Sequence, residues 1–254
     1  MSRRTAVECL YPEQGAGGFT RFDHKVQFFS RVNSLIKPNS IILDFGAGPG
    51  EWAEGHNPYQ VSLQDFQNNQ RVQKVIGVDV DNAVLSNQHL DESYILIENE
   101  LLSLEDESVD LIVSYAVFEH IENPEKVAAE LRRVLKPDGW ICAWTPNRYG
   151  YVAILSSLIP NFLHAKVLEW NGLVGEKDGQ RGKEDVFPTR YRLNSLSAIQ
   201  RYFSRNDFLN FSYIFSGPEG YAGSSMALAI IFKCYNWALP RNFGTHLYVF
   251  LRKK

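Results

Sequence analysis

The sequence predicts an α/β fold: a Rossmann-like, doubly wound sheet of seven mainly parallel strands, with an inserted lid and an added C-terminal helix. Short apolar runs alternate with helical patterns between residues 23 and 147, as in a parallel sheet covered by helices. A glycine-rich turn from Gly46 to Gly50 follows the first run, and Asp79 ends the second. A glycine turn after a strand indicates a nucleotide-like ligand at the carboxyl edge of the sheet.

The length and composition are those of one ordinary globular domain, residues 1–254. Hydrophobic residues make up 44% of the chain and charged residues 22%. We divide the domain into an N-terminal arm and helix (1–39), a cofactor-binding core (40–147), a substrate-side insertion (148–195) and C-terminal sheet elements with an inserted helix (196–254).

Charge and hydropathy exclude several classes of partner. The net charge of −3, without a basic stripe, predicts no nucleic-acid partner. No apolar run reaches the ~18 residues that span a membrane, and the N-terminus lacks the apolar segment of a signal peptide. Cys9, Cys142 and Cys234 are scattered along the chain, which predicts reduced thiols and a cytoplasmic location.

The first predicted elements are a helix and a strand. Apolar residues recur every three or four positions over 23–37, which indicates an amphipathic helix that Pro38 and Asn39 end. The first strand covers 41–43 and ends at Asp44. Trp52 should begin the next helix, and the polar segment 56–74 predicts an additional helix-and-loop excursion.

Four further strands and a capped helix complete the predicted core. The strands cover 74–78, 93–98, 109–115 and 140–145. Asn123 caps a helix with Pro124 at its first position, and the Pro-Asp-Gly sequence at 137–139 ends that helix.

Beyond the core we predict a sixth strand over 208–215, an apolar helix over 224–239 and a final strand over 245–251. In the minimal fold the last two strands form a hairpin, so the helix is an added element. It is either a cap that packs on the sheet or on a second copy in a homodimer, or an interfacial patch that reaches a lipid-linked acceptor.

The residues around the glycine turn select the ligand. The spacing G-x-G-x-G differs from the dinucleotide pattern G-x-G-x-x-G, whose third glycine would fall on Glu51. Asp44 and Glu51 would repel a pyrophosphate, whereas an acidic residue suits a ligand that has an ammonium group and no phosphate, such as S-adenosylmethionine. Asp79 can accept the hydroxyl protons of a ribose.

The sequences ILDFGAGPG, VIGVDVD, DLIVSYAVFEHI, VLKPDGW and TPN, in this order over residues 40–147, resemble class I S-adenosylmethionine-dependent methyltransferases. The chain is similar to the bacterial methyltransferase type 11-like group, which has no assigned substrate. The resemblance implies S-adenosyl-L-methionine as cofactor. The cofactor-binding residues that it implies are Asp44, Gly46, Ala47, Gly48, Gly50, Asp79, Val80, Glu98, Asn99, Ser114 and Tyr115.

Within that set the resemblance assigns roles by position. Asp44 would lie near the methionine end, and Glu98 and Asn99 would flank the adenine. Ser114 and Tyr115 would line the wall near the sulfonium. Relatives that methylate catechol-like rings with magnesium carry a glutamate where this chain has Ala116, so we predict no metal.

Methyl transfer is an in-line displacement that depends on positioning and on exclusion of water, and a hydroxyl acceptor also benefits from a general base. His120, at the carboxyl end of the fourth strand, is the candidate base; alternatively it braces the loop through Glu119. The candidate substrate-binding residues are His164, Arg190 and Tyr191. Arg190 either binds a carboxylate or phosphate of the acceptor or braces the lid through ion pairs, and His164 has a structural alternative.

These features favour an S-adenosylmethionine-dependent methyltransferase that acts on a small molecule or sugar, through O-methylation in bacterial glycan or secondary-metabolite biosynthesis. Two alternatives stay open: a non-catalytic S-adenosylmethionine-binding module, and a methyltransferase of a lipid-linked or quinone-like acceptor. The glycine spacing and Asp44 disfavour a nicotinamide oxidoreductase.

Overall fold

The computed structural model describes residues 6–55, 57–97, 100–150, 153, 188–217, 225–238 and 240–254. The chain forms two compact bodies. The larger body comprises residues 25–145, 189–213 and 247–254, and the smaller comprises the described parts of 1–24, 146–188 and 214–246. The division of one domain into an arm, a core, an insertion and C-terminal elements stays a prediction, and most of the insertion lies outside the described residues.

The strands are β1 (Ser40–Phe45), β2 (Val72–Asp79), β3 (Glu92–Ile95), β4 (Val109–Tyr115), β5 (Leu135–Pro146), β6 (Phe208–Asn210), β7 (Tyr213–Phe215) and β8 (His246–Lys253). Seven of them follow the order β3-β2-β1-β4-β5-β8-β6. The β1–β2, β1–β4, β2–β3 and β4–β5 pairs are parallel, and β6 runs antiparallel to β8. The predicted doubly wound, mainly parallel sheet is confirmed.

The order of strands places a crevice at the carboxyl ends of β1 and β4. The chain moves outward from β1 to β2 and β3, and then returns to β4 on the other side of β1. At such a switch point the loops after the two central strands diverge and leave room for a ligand. The glycine turn follows β1, and the Phe-Glu-His sequence follows β4, so both lie at this edge.

The described α-helices are α1 (Ala6–Leu10), α2 (His24–Leu35), α3 (Pro58–Gln64), α4 (Pro124–Val134), α5 (Leu196–Tyr202) and α6 (Met226–Ala238). The amphipathic helix predicted over 23–37 is α2. Its Phe28 and Phe29 side chains are buried. The ring of Phe28 lies 5.8 Å from those of Tyr248 and Phe250, and the ring of Phe29 lies 5.5 Å from that of Tyr115. These contacts fix α2 on one face of the sheet.

Helix α4 begins where the sequence predicts, but it ends earlier than predicted. Asn123 accepts the backbone N–H of Lys126 through Oδ1 at 3.2 Å, and Pro124 is the first helical residue. The helix ends at Val134, and β5 begins at Leu135 instead of residue 140. Leu135 has an extended backbone (φ −77°, ψ 131°) and is fully buried. The 137–139 sequence therefore lies inside the strand and does not end the helix.

Two other predictions need correction. The strand expected over 208–215 is interrupted between β6 and β7, because the Asn210 side chain accepts the N–H of Ser212 and the Ser212 hydroxyl accepts the N–H of Phe250. At this break the Phe211 N–H still donates to the Phe250 carbonyl at 2.8 Å, while the Ser212 side chain takes the N–H of Phe250. The helix expected to begin at Trp52 is a short 3-10 turn, Glu51–Glu54, and α3 begins at Pro58 with Asn57 as its cap.

In the smaller body, α1 packs against α6 through a small apolar cluster: Ala6, Leu10, Leu228, Ala229 and Phe232. The helix predicted over 224–239 is observed as α6. Ile231 and Trp237 on α6 are 58% and 88% exposed. Within the described ranges, no helix has the length and apolarity that a membrane span requires.

Candidate active site

The glycine turn after β1 has a backbone that only glycine adopts without strain. Gly46, Gly48 and Gly50 all have positive φ angles, of 86°, 54° and 88°. The turn is tied to the neighbouring strand, because the N–H groups of Gly46 and Ala47 both donate to the carbonyl of Val78 in β2, at 2.7 and 3.2 Å. The predicted glycines therefore shape one turn beside the end of β2.

The space around the three glycines differs. A Cβ atom added to Gly46 would lie 2.1 Å from Cγ2 of Val117, and one added to Gly50 would lie 2.6 Å from Oδ1 of Asn87. A Cβ added to Gly48 would meet nothing within 4 Å. Gly46 and Gly50 are thus packed against protein, whereas the Gly48 Cα faces open space. This is the arrangement that a ligand lying against the turn requires.

Asp79, the last residue of β2, is bound to the turn. Its Oδ2 accepts the N–H of Gly48 at 2.9 Å, and its Oδ1 accepts the N–H of Asp81 at 2.9 Å. Each carboxylate oxygen can accept a second hydrogen bond, so ribose hydroxyls fit this carboxylate. The adjacent Val80 is half exposed.

Asp44 lies in β1 beside Gly77 of β2 and Val113 of β4. Burial of its carboxyl group, together with the negative charge of Asp79, raises its pKa from an ordinary value of 3.8 to about 7. A cationic ligand at this position would favour the ionised form and lower the pKa again. The two acids therefore suit the ammonium group and the ribose of S-adenosylmethionine.

Ser114 and Tyr115 end β4, and successive side chains on a strand point to opposite faces. The buried Ser114 hydroxyl donates to the carbonyl of Phe45 at 2.9 Å. The Tyr115 ring stacks on that of Trp144 at 4.6 Å and faces α2 through Phe29. Ser114 therefore ties β4 to the end of β1, and Tyr115 belongs to the aromatic layer beneath α2.

The turn after β4 directs Glu119 inward and leaves His120 partly exposed. The Glu119 carboxylate accepts the hydroxyl of Thr145 at 2.7 Å, and that hydroxyl accepts the side-chain amide of Asn194 at 2.6 Å. All three of these polar residues are buried, and burial raises the pKa of Glu119. His120 comes directly after Glu119 at the carboxyl edge of the sheet, and its backbone N–H donates to the carbonyl of Val117.

The segment that carries Arg190 and Tyr191 lies against this turn. Both backbone N–H groups donate to the Glu119 carbonyl, at 2.6 and 3.1 Å. The Arg190 guanidinium is 3.6 Å from the Glu122 carboxylate, and Arg192 donates to the Glu122 carbonyl. The structure thus brings Arg190 and Tyr191 to the same edge as His120. The other candidates, His164, Glu98 and Asn99, lie outside the described residues.

Two sets of residues at this edge are not predicted from the sequence. Asn87 donates to the carbonyls of Ala47 and Gly48, and Thr145 and Asn194 bind Glu119. No local pattern marks Asn87, since it follows a short 3-10 turn in a polar segment. Among the described residues, no three His, Cys, Asp or Glu side chains form a cluster suited to a metal. The predicted absence of a metal stays a prediction.

Comparison with known proteins finds similarity to methyltransferases over this region. Residues 43–143 match the family model described as a methyltransferase domain. The chain is 28% identical over 113 residues to a ubiquinone biosynthesis O-methyltransferase of Thiobacillus denitrificans, covering 42% of this chain and 44% of that protein. It is 34% identical over 81 residues to a probable S-adenosylmethionine-dependent methyltransferase of Mycolicibacterium smegmatis, covering 31% and 32% of the two chains.

Among solved structures, a Thermotoga maritima protein described as an S-adenosylmethionine-dependent methyltransferase, possible histamine N-methyltransferase, has a TM-score of 0.54. It is 17% identical, and the match covers 92% of this chain and 90% of that one. This likeness shows a shared fold. The chain matches less than half the length of either curated relative.

Proposed function

We propose that this chain, whose residues 43–143 match the family model described as a methyltransferase domain, is a class I S-adenosylmethionine-dependent enzyme that methylates a hydroxyl group of a small molecule or sugar. S-adenosyl-L-methionine is the cofactor of this class. The observation that carries the proposal is the open face of Gly48 beside the Asp79 carboxylate, with the buried acid Asp44 near the end of the preceding strand.

The chain's own residues would hold the cofactor at this edge. The Asp79 carboxylate would accept the ribose hydroxyls while it keeps its bond to Gly48, and Asp44 would bind the ammonium group. When bound, S-adenosylmethionine supplies a methyl group activated by a sulfonium. The family resemblance implies that Glu98 and Asn99 flank the adenine and that Ser114 and Tyr115 line the wall near the sulfonium; these roles stay proposals.

His120 would serve as the general base. It would take the proton of the acceptor hydroxyl as the oxygen attacks the methyl carbon, a contribution typically of about 10²–10⁴ in rate. The inward Glu119 carboxylate and the Arg190–Tyr191 backbone support this proposal, because they fix the turn that carries His120. Arg190 and Tyr191 would contact the acceptor, and His164 stays a candidate for the same role.

A sugar or other small polar acceptor is our first proposal, within bacterial glycan or secondary-metabolite biosynthesis in the cytoplasm. A lipid-linked or quinone-like acceptor is the second. Two observations favour the second acceptor: the exposed Ile231 and Trp237 on α6, and the relative named for ubiquinone biosynthesis. Homodimer formation through α6 also stays a proposal.

The test measures S-adenosylhomocysteine by mass spectrometry after incubation of the protein with S-adenosylmethionine and pooled acceptors. The pools are nucleotide sugars and glycosides, phenols and catechols, and short-chain quinone precursors. We expect one pool to give turnover, and His120→Ala to lower kcat by at least about tenfold with unchanged cofactor affinity. Cofactor binding without turnover in any pool would favour a non-catalytic module. If the His120→Ala variant kept full turnover, His120 would be excluded as the general base.

A further inference from the structure

One peptide group of the glycine turn is held from both sides. In the Ala47–Gly48 peptide, the Gly48 N–H donates to Oδ2 of Asp79 at 2.9 Å. The carbonyl of Ala47, which points the opposite way in a trans peptide, accepts Nδ2 of Asn87 at 3.4 Å. The same Nδ2 also donates to the Gly48 carbonyl at 3.0 Å. Two side chains therefore fix this peptide plane: Asp79 at the end of β2 and Asn87 in the segment that follows it.

Asn87 is itself held in place. It is 7% exposed, and its backbone N–H donates to the carbonyl of Val84 at 3.1 Å. Its Oδ1 accepts the backbone N–H of His89 at 3.0 Å. The His89 ring packs on the Trp52 ring, with 4.7 Å between the ring centroids. Both ends of the amide are thus used, and the donor end can face only the glycine turn.

The position of Asn87 also explains why residue 50 is a glycine. A Cβ on Gly50 would lie 2.6 Å from Oδ1 and 3.0 Å from Cγ of Asn87. Since real Cβ atoms do not approach so closely, Asn87 and the turn can pack together only if this position is glycine. The third glycine therefore makes room for Asn87, whereas the open face of Gly48 receives the ligand.

We propose that Asn87 is a positioning residue for the cofactor site. Its two bonds prevent the Ala47–Gly48 peptide from rotating, and they thereby keep the Gly48 N–H on the Asp79 carboxylate that would hold the ribose. Asn87 acts through the turn and through Asp79, without itself touching the ligand. The proposal rests on the proposed function for the identity of that ligand.

The most informative variant is Asn87→Asp, which keeps the size of the side chain and replaces its donor by an acceptor oxygen. That oxygen would face the carbonyls of Ala47 and Gly48 and repel them. We expect S-adenosylmethionine to bind at least about tenfold more weakly. The added negative charge would by itself strengthen the binding of a cationic ligand. A loss of affinity would therefore come from the altered conformation of the glycine turn. Asn87→Ala, which removes both donor bonds and the Oδ1 bond to His89 without adding repulsion, should weaken binding about threefold to tenfold.

Asn33 provides a matched control. Its side-chain amide also donates to two backbone carbonyls, those of Phe29 at 2.9 Å and Leu63 at 2.7 Å, and its Oδ1 accepts the Asn69 amide at 3.0 Å. The Leu63 bond joins α2 to α3, and none of the three bonds involves the glycine turn. Asn33→Asp and Asn33→Ala should lower the melting temperature as the Asn87 variants do, and they should leave cofactor affinity within about twofold of the wild type.

The experiment is calorimetric titration of the full chain and its four variants with S-adenosylmethionine and with S-adenosylhomocysteine, at a temperature where each variant is folded by circular dichroism. If Asn87→Asp does not fold, Asn87→Ala carries the same test. Unchanged affinity in a folded Asn87 variant, or an equal loss in the Asn33 variants, would overturn the role of Asn87. A wild-type chain that binds neither ligand would instead overturn the proposed function.

Discussion

Asp44→Asn should make the protein more stable at neutral pH while it weakens cofactor binding. Burial and the Asp79 carboxylate raise the pKa of Asp44 to about 7, so the folded state disfavours the charge that a cationic ligand requires. An amide of the same size removes that penalty. It also removes the charge that would bind the ammonium group.

The size and sign of the effect follow from the linkage of protonation to folding. A pKa raised from 3.8 to about 7 corresponds to at most ~4 kcal/mol. Because the folded chain keeps this proton at pH values where the unfolded chain has released it, the penalty grows as pH rises from about 4 to 7 and is complete above 7. We expect Asp44→Asn to gain about 1–4 kcal/mol at pH 8 and almost nothing at pH 4.

Urea unfolding at pH 4, 6 and 8, followed by circular dichroism, measures this difference between variant and wild type. Asp138→Asn is the control of opposite sign, since the hydrogen bond and charge of Arg252 lower the pKa of Asp138. That variant should lose stability at pH 8 and regain it at low pH. A gain for Asp44→Asn that is absent at pH 8, or equal at pH 4 and pH 8, would refute the reasoning.

Two further predictions concern stability. Lys253→Met should destabilise the fold by about 2 kcal/mol in urea unfolding. The reason is that the Lys253 ammonium donates to the Arg132 carbonyl in α4, to the Leu135 carbonyl just after it, and to the Glu107 carboxylate. An unchanged unfolding midpoint would contradict this prediction. Gly46→Ala should cost about 2 kcal/mol or more, since its Cβ would meet Val117 Cγ2 at 2.1 Å at a φ of 86°. The double variant Gly46→Ala with Val117→Ala should regain the part of the lost stability that comes from the clash. If it regains none, the loss comes from backbone strain at position 46 alone.

The parts of the fold that the sequence predicts well are those with local causes. Strand β4 is predicted from the mostly apolar run at 109–115, and α4 from the Asn123 cap and Pro124. The end of α4 was not found. Burial of Leu135 beside the sheet, which is a tertiary effect, draws the chain into an extended conformation earlier than the 137–139 sequence indicates.

The same distinction applies to the candidate site. The glycine turn and Asp79 were predictable because a strand, a turn and an acidic strand end have fixed places in a parallel sheet. Asn87 was not predictable, since its bonds reach back to Ala47 and Gly48 across 40 and 39 positions. The Glu119–Thr145–Asn194 network joins three separate parts of the chain and leaves no spacing pattern.

The central claim is that the turn at Gly46–Gly50, with Asp44 and Asp79, binds S-adenosylmethionine. Calorimetric titration of the wild-type chain with S-adenosylmethionine, and separately with NAD, tests it most directly. We expect micromolar binding of S-adenosylmethionine and no binding of NAD, whose pyrophosphate Asp44 and Glu51 would repel. Binding of NAD, or of neither ligand, would contradict it.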